Sequence, residues 1–316
     1  MKDIAAAAKA SKLPERHQTW RKHGSCPAGT VPIRRASSRA NPDQVAEQLA
    51  RLSSPPFGRP GSRNLSATQP GRAGNYNALA MAAPSGGQVE VAAAYATDGP
   101  YLGARADIPY WKINVHPGRA WPSLYGDSLT RLFVYYTADD GKAQNCFNLD
   151  CGGFVVHNSS YVLGDSWADS DSQVAGERFG VTVGIHRGLS DEKWWVSVMD
   201  EDIGYYPETI FNTRFPQAVY VEMGGRVLNT RPGGNHTTTP MGSGMPVCAG
   251  SRFAATIMEY AGIDYEGVLF NDPVTQTIAT TPNCYNARPI GFSTSRAGYS
   301  VSYGGPGGIY CDQKDS

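Results

Sequence analysis

From residue 90 onward, apolar positions recur in short alternating or β-branched stretches, each closed by turn residues. Arg131-Leu-Phe-Val-Tyr-Tyr-Thr137 predicts a strand that ends at the Ala-Asp-Asp-Gly turn of 138–141. Gly153-Phe-Val-Val-His157 predicts another. Arg178-Phe-Gly-Val-Thr-Val-Gly-Ile-His186 and Lys193-Trp-Trp-Val-Ser-Val-Met199 flank an Arg-Gly-Leu-Ser-Asp turn and predict a hairpin. Ala218–Met223 and Tyr299–Tyr303 add two more strands. Helical spacing is sparse: Ser251–Ala261 is the best candidate in this part of the chain. Near the N-terminus, Asn41–Leu52 predicts a short helix, with Pro42 suited to the first helical position and Val45, Leu49 and Leu52 on one face. Many short strands and few helices predict an all-β fold, a sandwich or barrel. No internal repeat is visible.

Composition sharpens this pattern. Of 316 residues, 18% are charged, against roughly 25% in an average globular chain, and 36 are Gly and 17 Tyr. That is the make-up of a loop-rich β protein. No run approaches the roughly 18 apolar residues of a membrane span, so none is expected. The 28 basic and 28 acidic residues cancel, but not locally. Residues 1–75 hold 13 Lys+Arg and 4 Asp+Glu, a net of +9, which leaves 15 against 24, a net of −9, for 76–316. Of the 33 Phe, Trp and Tyr, only Trp20 and Phe57 precede residue 76. A segment so poor in aromatics buries too little apolar area to offset its conformational entropy. Residues 1–75 therefore read as a basic, largely irregular arm and linker, and 76–316 as the β domain. The arm lacks aromatics interleaved with its charges, so no nucleic-acid partner is expected. A solvated tail and a segment lying on the acidic domain are its two other readings.

The six cysteines are Cys26, Cys146, Cys151, Cys248, Cys284 and Cys311, with no Cys-x-x-Cys, which argues against a zinc ribbon or a thioredoxin-like site. Cys146 and Cys151 close a tight loop, and Cys284 and Cys311 could join neighbouring strands. Sequons at Asn64, Asn158 and Asn235 point to a secretory route. Residues 1–20 contain no apolar core of a signal peptide. Reaction motifs are absent: no His-Glu-x-x-His, no Gly-x-Ser-x-Gly and no phosphate loop. Ser243 reads as a turn serine, the histidines lack metal spacing, and His157 reads as structural. No metal or cofactor is expected. Candidate carboxylates are Asp127, Asp140, Asp150 and Glu222, useful as acid and base only where burial separates two pKa values.

Longer stretches carry a resemblance. His17-Gln-Thr-Trp20 through Cys26 to Arg35 resembles the end of the activation peptide of the neprosin family, mainly plant, secreted glutamic endopeptidases that cleave after proline. The resemblance continues through Tyr101–Ala106, Pro122-Ser-Leu-Tyr-Gly-Asp127, Thr130–Thr137 and Asn145-Cys-Phe-Asn-Leu-Asp-Cys-Gly-Gly-Phe-Val155. Trp194-Trp195, Ile203–Pro207, Met223-Gly-Gly225, Pro240-Met-Gly-Ser-Gly244, Cys284-Tyr285 and Gly304-Gly-Pro-Gly307 follow in family order. It implies an antiparallel β-sandwich of two sheets behind a pro-segment that covers the cleft and is removed in acid. It also implies disulfides Cys146–Cys151 and Cys284–Cys311, with Cys26 in the pro-segment and Cys248 left over. An extracellular or vacuolar location, and a proline-rich peptide or protein partner beside the chain's own arm, are implied as well.

The family's two catalytic glutamates are where this chain departs. The first lies in a Glu-Ala-Gly-Trp-like motif just before Pro-x-Leu-Tyr-Gly-Asp. Here Trp111–Val115 ends one strand, Pro122-Ser-Leu-Tyr begins the next, and the segment with that glutamate is missing between them. The second follows Trp-Gly-Gly; here Met223-Gly-Gly is followed by Arg226, whose guanidinium serves as neither acid nor base at neutral pH. Period-2 alternation puts Glu222, Gly224 and Arg226 on one face, so Arg226 is expected to pair with Glu222. No catalytic dyad is intact, and Glu222 and Asp127 are the substitute candidates. Three readings follow: a non-catalytic binding or inhibitory module, a relic or mis-spliced chain whose complete form keeps the signal peptide and the first glutamate, and an active acid peptidase using the substitutes.

Overall fold

The computed structural model describes residues 18–24, 26–27, 30–33, 42–53, 87–97, 99–113, 124–139, 141–150, 152–167, 171–270, 275–293 and 298–312. The described strands are β1 Gln88–Ala96, β2 Gly103–Pro109, β3 Tyr135–Thr137, β4 Asn145–Phe147, β5 Val155–Val156, β6 Gly180–Arg187 and β7 Trp194–Val198. They continue with β8 Glu201–Tyr206, β9 Val221–Asn229, β10 Ala255–Ile263, β11 Leu269–Phe270, β12 Gln276–Ala279, β13 Asn286–Ser293 and β14 Gly298–Gly304. A single long helix among the described residues, α1, spans Pro42–Ser53, where the apolar spacing predicts one.

All strand pairs are antiparallel. A long sheet runs β13-β14-β10-β2-β6-β7-β8-β5, with β11 also on β10; a smaller sheet runs β12-β1-β9, and β3-β4 form a short ribbon. The two larger sheets make the expected antiparallel sandwich. Val181, Val183, Val196 and Val198 turn toward the space between the sheets and Thr182, Gly184, Trp195 and Ser197 toward the other face; burial alternates along β7, whereas Thr182 of β6 is buried too, bonded to Asp107. Opposite them, β1 contributes Ala92 and Ala96 and β9 contributes Met223 and Val227 to the same core. Small side chains let the sheets approach: a Cβ on Gly225 would lie 2.5 Å from Met241 and 3.0 Å from Tyr303. The other face of β1 carries a second cluster, Val91, Ala93, Tyr95 and Ile278, with Tyr220 packed on it.

Several expectations change. The Ser251–Ala261 stretch is not a helix: 251–254 form a turn and strand β10 begins at Ala255. Its β-branched Thr256 and Ile257 pair with β14, and burial along both faces overrides the helical spacing. Arg131–Thr137 is strand only over its last three residues, since Leu132 and Val134 bond instead to Asp165 and Asn148. Gly153–His157 shrinks to Val155–Val156, and the Ala218–Met223 strand begins at Val221 and extends to Asn229. Trp111 forms an isolated bridge with Ser172 rather than a strand, and Leu124 and Tyr125 lie in a helical turn that buries Leu124 against Leu49 and Phe147. Cys284 and Cys311 are disulfide-bonded, joining the turn before β13 to the helical turn Gly308–Cys311. Cys146 is also disulfide-bonded, whereas its expected partner Cys151 lies outside the described residues. Cys26 and Cys248 are free thiols.

Candidate functional site

A cleft of about 670 Å³ opens between the sheets. Ile108, Val181, Val183, Val196 and Val198 form its floor, and Met223, Gly225 and Val227 of β9 form the facing wall. Its rim is polar and holds three of the residues singled out in the sequence: Asp127, Glu222 and Arg226. Gln48 and Leu52 of α1 complete the lining, so the N-terminal helix sits at the same opening.

The β1–β9 register opposes Tyr95 to Glu222 and Val91 to Arg226, which places both charged side chains on the face away from the main core. They meet there, four residues apart on an edge strand. Arg226 Nε donates to Glu222 Oε1 at 2.7 Å and Arg226 Nη2 to Glu222 Oε2 at 2.6 Å, a two-pronged pair. The Tyr220 hydroxyl donates to Glu222 Oε2 as well. Burial, and then the Glu222 charge beside it, push the Tyr220 hydroxyl far above the usual phenol range, so it stays a donor. The third prong, Arg226 Nη1, donates to the Leu52 carbonyl at 2.7 Å. That carbonyl belongs to the last turn of α1, where carbonyls lack helix partners and the dipole favours a cation.

Asp127 is arranged in a similar way. Arg131 Nη2 bonds its Oδ2 and the Leu129 amide bonds its Oδ1 at 3.0 Å, while the Arg131 guanidinium lies 4.4 Å from the Tyr125 ring centroid. Asp127 and Glu222 are thus each engaged by an arginine four residues further along the chain. Asp150 is exposed on the loop after β4, and Asp140 lies outside the described residues. So do 114–123, where the resemblance leads one to expect the first-glutamate segment to be absent.

A Neprosin family profile matches residues 118–306. The chain belongs to the Neprosin family. Membership places it in a glutamic-type, prolyl-endopeptidase-like family and suggests an extracellular setting. The matched span contains Asp127, Glu222 and Arg226, while β1, β2 and α1 lie before it. No helix among the described residues is long and apolar enough to cross a membrane.

Sequence reasoning missed several partners of this Neprosin-family cleft. Tyr220 was legible as one more aromatic two positions from Glu222, but a carbonyl such as that of Leu52 leaves no signal in a sequence. Away from the cleft, Gln18, within the activation-peptide-like stretch, is buried; its Nε2 donates to the Val162 carbonyl at 3.0 Å and its Oε1 accepts from the Val162 amide at 2.6 Å. Thr19 and Trp20 bind Asp165 beside it, at 2.8 and 2.9 Å. Ser243 accepts from the Met245 amide at 3.3 Å, as a turn serine does. His236, Cys284 and Asp312 cluster closely, but Cys284 is held in its disulfide and His236 bonds the buried Glu90, leaving no metal-ligand set. Of the sequons, Asn158 and Asn235 lie on described loops, and Asn64 lies outside the described residues.

Proposed function

We propose that this Neprosin-family protein is a catalytically impaired relative of the glutamic prolyl endopeptidases, whose cleft binds a proline-rich peptide or protein without hydrolysing it. Arg226 carries the reading. It stands where the family's second glutamate is expected, engages both oxygens of Glu222, and spends its remaining prong on the Leu52 carbonyl of α1. A guanidinium neither activates water nor protonates a leaving amine at neutral pH. The basic arm, through α1, acts as the cleft's intramolecular partner and lies over it. The same cleft is apolar along its floor, which suits the ring of a proline.

Acid-treated, purified protein incubated with a quenched-fluorescence proline-containing peptide tests this reading. No turnover across the acid range is expected, together with saturable binding of a proline-rich peptide once the arm is released. A second reading has one observation in its favour: Asp127 and Glu222 line the same cleft and could replace the missing pair. Cleavage that disappears in Glu222→Gln would establish it and overturn the first. Vacuolar against extracellular residence is decided by locating the secreted, tagged chain.

A further inference from the structure

The outer face of the long sheet carries a feature independent of the cleft. Register aligns Val155, Tyr205, Trp195 and His186 in one row across β5, β8, β7 and β6. Trp194, Val196 and Val198 alternate to the core side, so this row points away from it. The Trp195 and Tyr205 ring centroids are 4.8 Å apart at 54°, and the His157 ring meets Trp195 edge-on at 5.2 Å. None of these three rings belongs to an apolar core cluster.

Polar groups border the rings on two sides. Asp191 Oδ2 accepts from the Trp195 indole N–H at 3.2 Å, and Asp202 Oδ1 stands 3.8 Å from His186 Nε2. Lys193 Nζ lies 4.4 Å from the Tyr205 centroid and 3.3 Å from Asp191 Oδ2. A pyranose has the matching chemistry. Its C–H face is apolar and slightly positive and packs on the negative faces of aromatic rings, while its equatorial hydroxyls need acceptors and donors at the edge. An apolar protein partner would desolvate those edge charges without offering them new hydrogen bonds.

A source of sugar stands beside the rings. Asn158, which opens the Asn158-Ser-Ser160 sequon, directly follows His157. The amides of His157 and Asn158 both donate to the Ile203 carbonyl, at 2.9 and 3.1 Å, pinning the sequon to β8. Asn158 Oδ1 accepts from the Ser160 amide and hydroxyl, both at 2.8 Å, and its Nδ2 lies 3.4 Å from the exposed Glu201 Oε2. The nitrogen that glycosylation modifies thus lies against exposed Glu201, four residues before Tyr205 on β8.

We propose that Asn158 carries an N-linked glycan whose first sugars fold back onto Trp195 and Tyr205. In the transfer, Asn158 Nδ2 bonds the anomeric carbon of an N-acetylglucosamine supplied by a lipid diphosphate-linked oligosaccharide. The anomeric C–O bond to the diphosphate breaks, and the lipid diphosphate leaves with the amide proton. Lys193, already bonded to Asp191, swings aside from the rings to that carboxylate.

The full chain, secreted from a eukaryotic host, is mapped by glycopeptide mass spectrometry and by hydroxyl-radical footprinting. Occupied Asn158 is expected, with Trp195 and Tyr205 oxidised several-fold more slowly than in Asn158→Gln. Thermal melts give a second readout that does not depend on footprinting. Asn158→Gln is expected to lower the midpoint by about 2–4 °C in the wild-type background and not in a Trp195→Ala/Tyr205→Ala background. An empty Asn158, or equal oxidation with and without the glycan, overturns the proposal. So does protection of the rings by free chitobiose alone in Asn158→Gln, which would make the face a binder of unattached saccharide.

Discussion

Glu222 is the most crowded carboxylate of the cleft rim, with Tyr220 and two prongs of Arg226 on its two oxygens, and its side chain is 10% exposed. Removing Arg226 from so enclosed a pair leaves the Glu222 charge with only the neutral Tyr220 hydroxyl, whereas removing both with apolar replacements is far milder. Arg226→Met is therefore expected to cost about 3 kcal/mol in urea melts, and Glu222→Met/Arg226→Met clearly less than the sum of the two single changes. Additive losses would mean that the pair is held apart in solution. A second buried acid allows a pH test. Asp107 is almost inaccessible; burial raises its pKa, and the bond from the Thr182 hydroxyl at 2.6 Å only partly opposes that. Between the ordinary aspartate pKa and the raised folded value, the folded chain holds a proton that the unfolded chain has lost. Stability therefore falls as pH rises through that window. Asp107→Asn keeps an acceptor for Thr182 and is expected to flatten this slope. A slope unchanged in the variant would sink the assignment.

At the scale of elements, α1 shows what a short apolar pattern can specify. Leu49 is 5% exposed and packs with Leu124 and Phe147, and Leu52 reaches the cleft. Leu49→Ala removes most of that anchor, a loss of about 2–5 kcal/mol at a buried leucine. Because the helix is joined to the β domain through few elements, the loss is expected to appear as faster trypsin cleavage after Arg51, with the midpoint of the β domain nearly unchanged. A domain that melts with the helix would show α1 to be part of the core. Legibility differs between elements for physical reasons. Strand β7 was readable because one face meets the core and the other does not, which imposes a period on the sequence, and the turn before it marked the hairpin with β6; α1 was readable from the spacing of Leu49 and Leu52. Strand β10 was not, because Ala255–Ile257 and Tyr260–Ile263 are buried on both faces and carry no alternation. Its bulge adds to this: Glu259 sits at φ +51°, where the register to β2 shifts, and reaches Arg105 Nη1 at 3.1 Å. The site was half legible. The Glu222–Arg226 pair followed from strand period, while the contributions of Leu52 and Tyr220 depended on which segments fold next to β9.

For the whole molecule, the decisive quantity is the split of charge, +9 before residue 76 and −9 after it. Arm residues already touch the domain at separate places: Gln18 and Thr19 at the Val162–Ser166 turn, Arg21 at the Ser160 carbonyl at 2.8 Å, and Leu52 at Arg226. Short contacts of this kind are individually small, and the general attraction between oppositely charged segments adds to them over a longer range. That attraction depends on ionised Asp and Glu, so it weakens as pH falls and those groups take up protons, and it is screened by salt. Trypsin sites at Arg21, Lys22 and Arg51 are therefore expected to be slow at neutral pH and low salt. They should become several-fold faster in about 1 M salt, where the screening length is about 3 Å. A protease active in acid should show the same release without salt. Cleavage at these three sites that ignores both salt and pH would mean that packing at Leu49 and the Gln18 bonds alone hold the arm, and that the opposed charges serve another purpose.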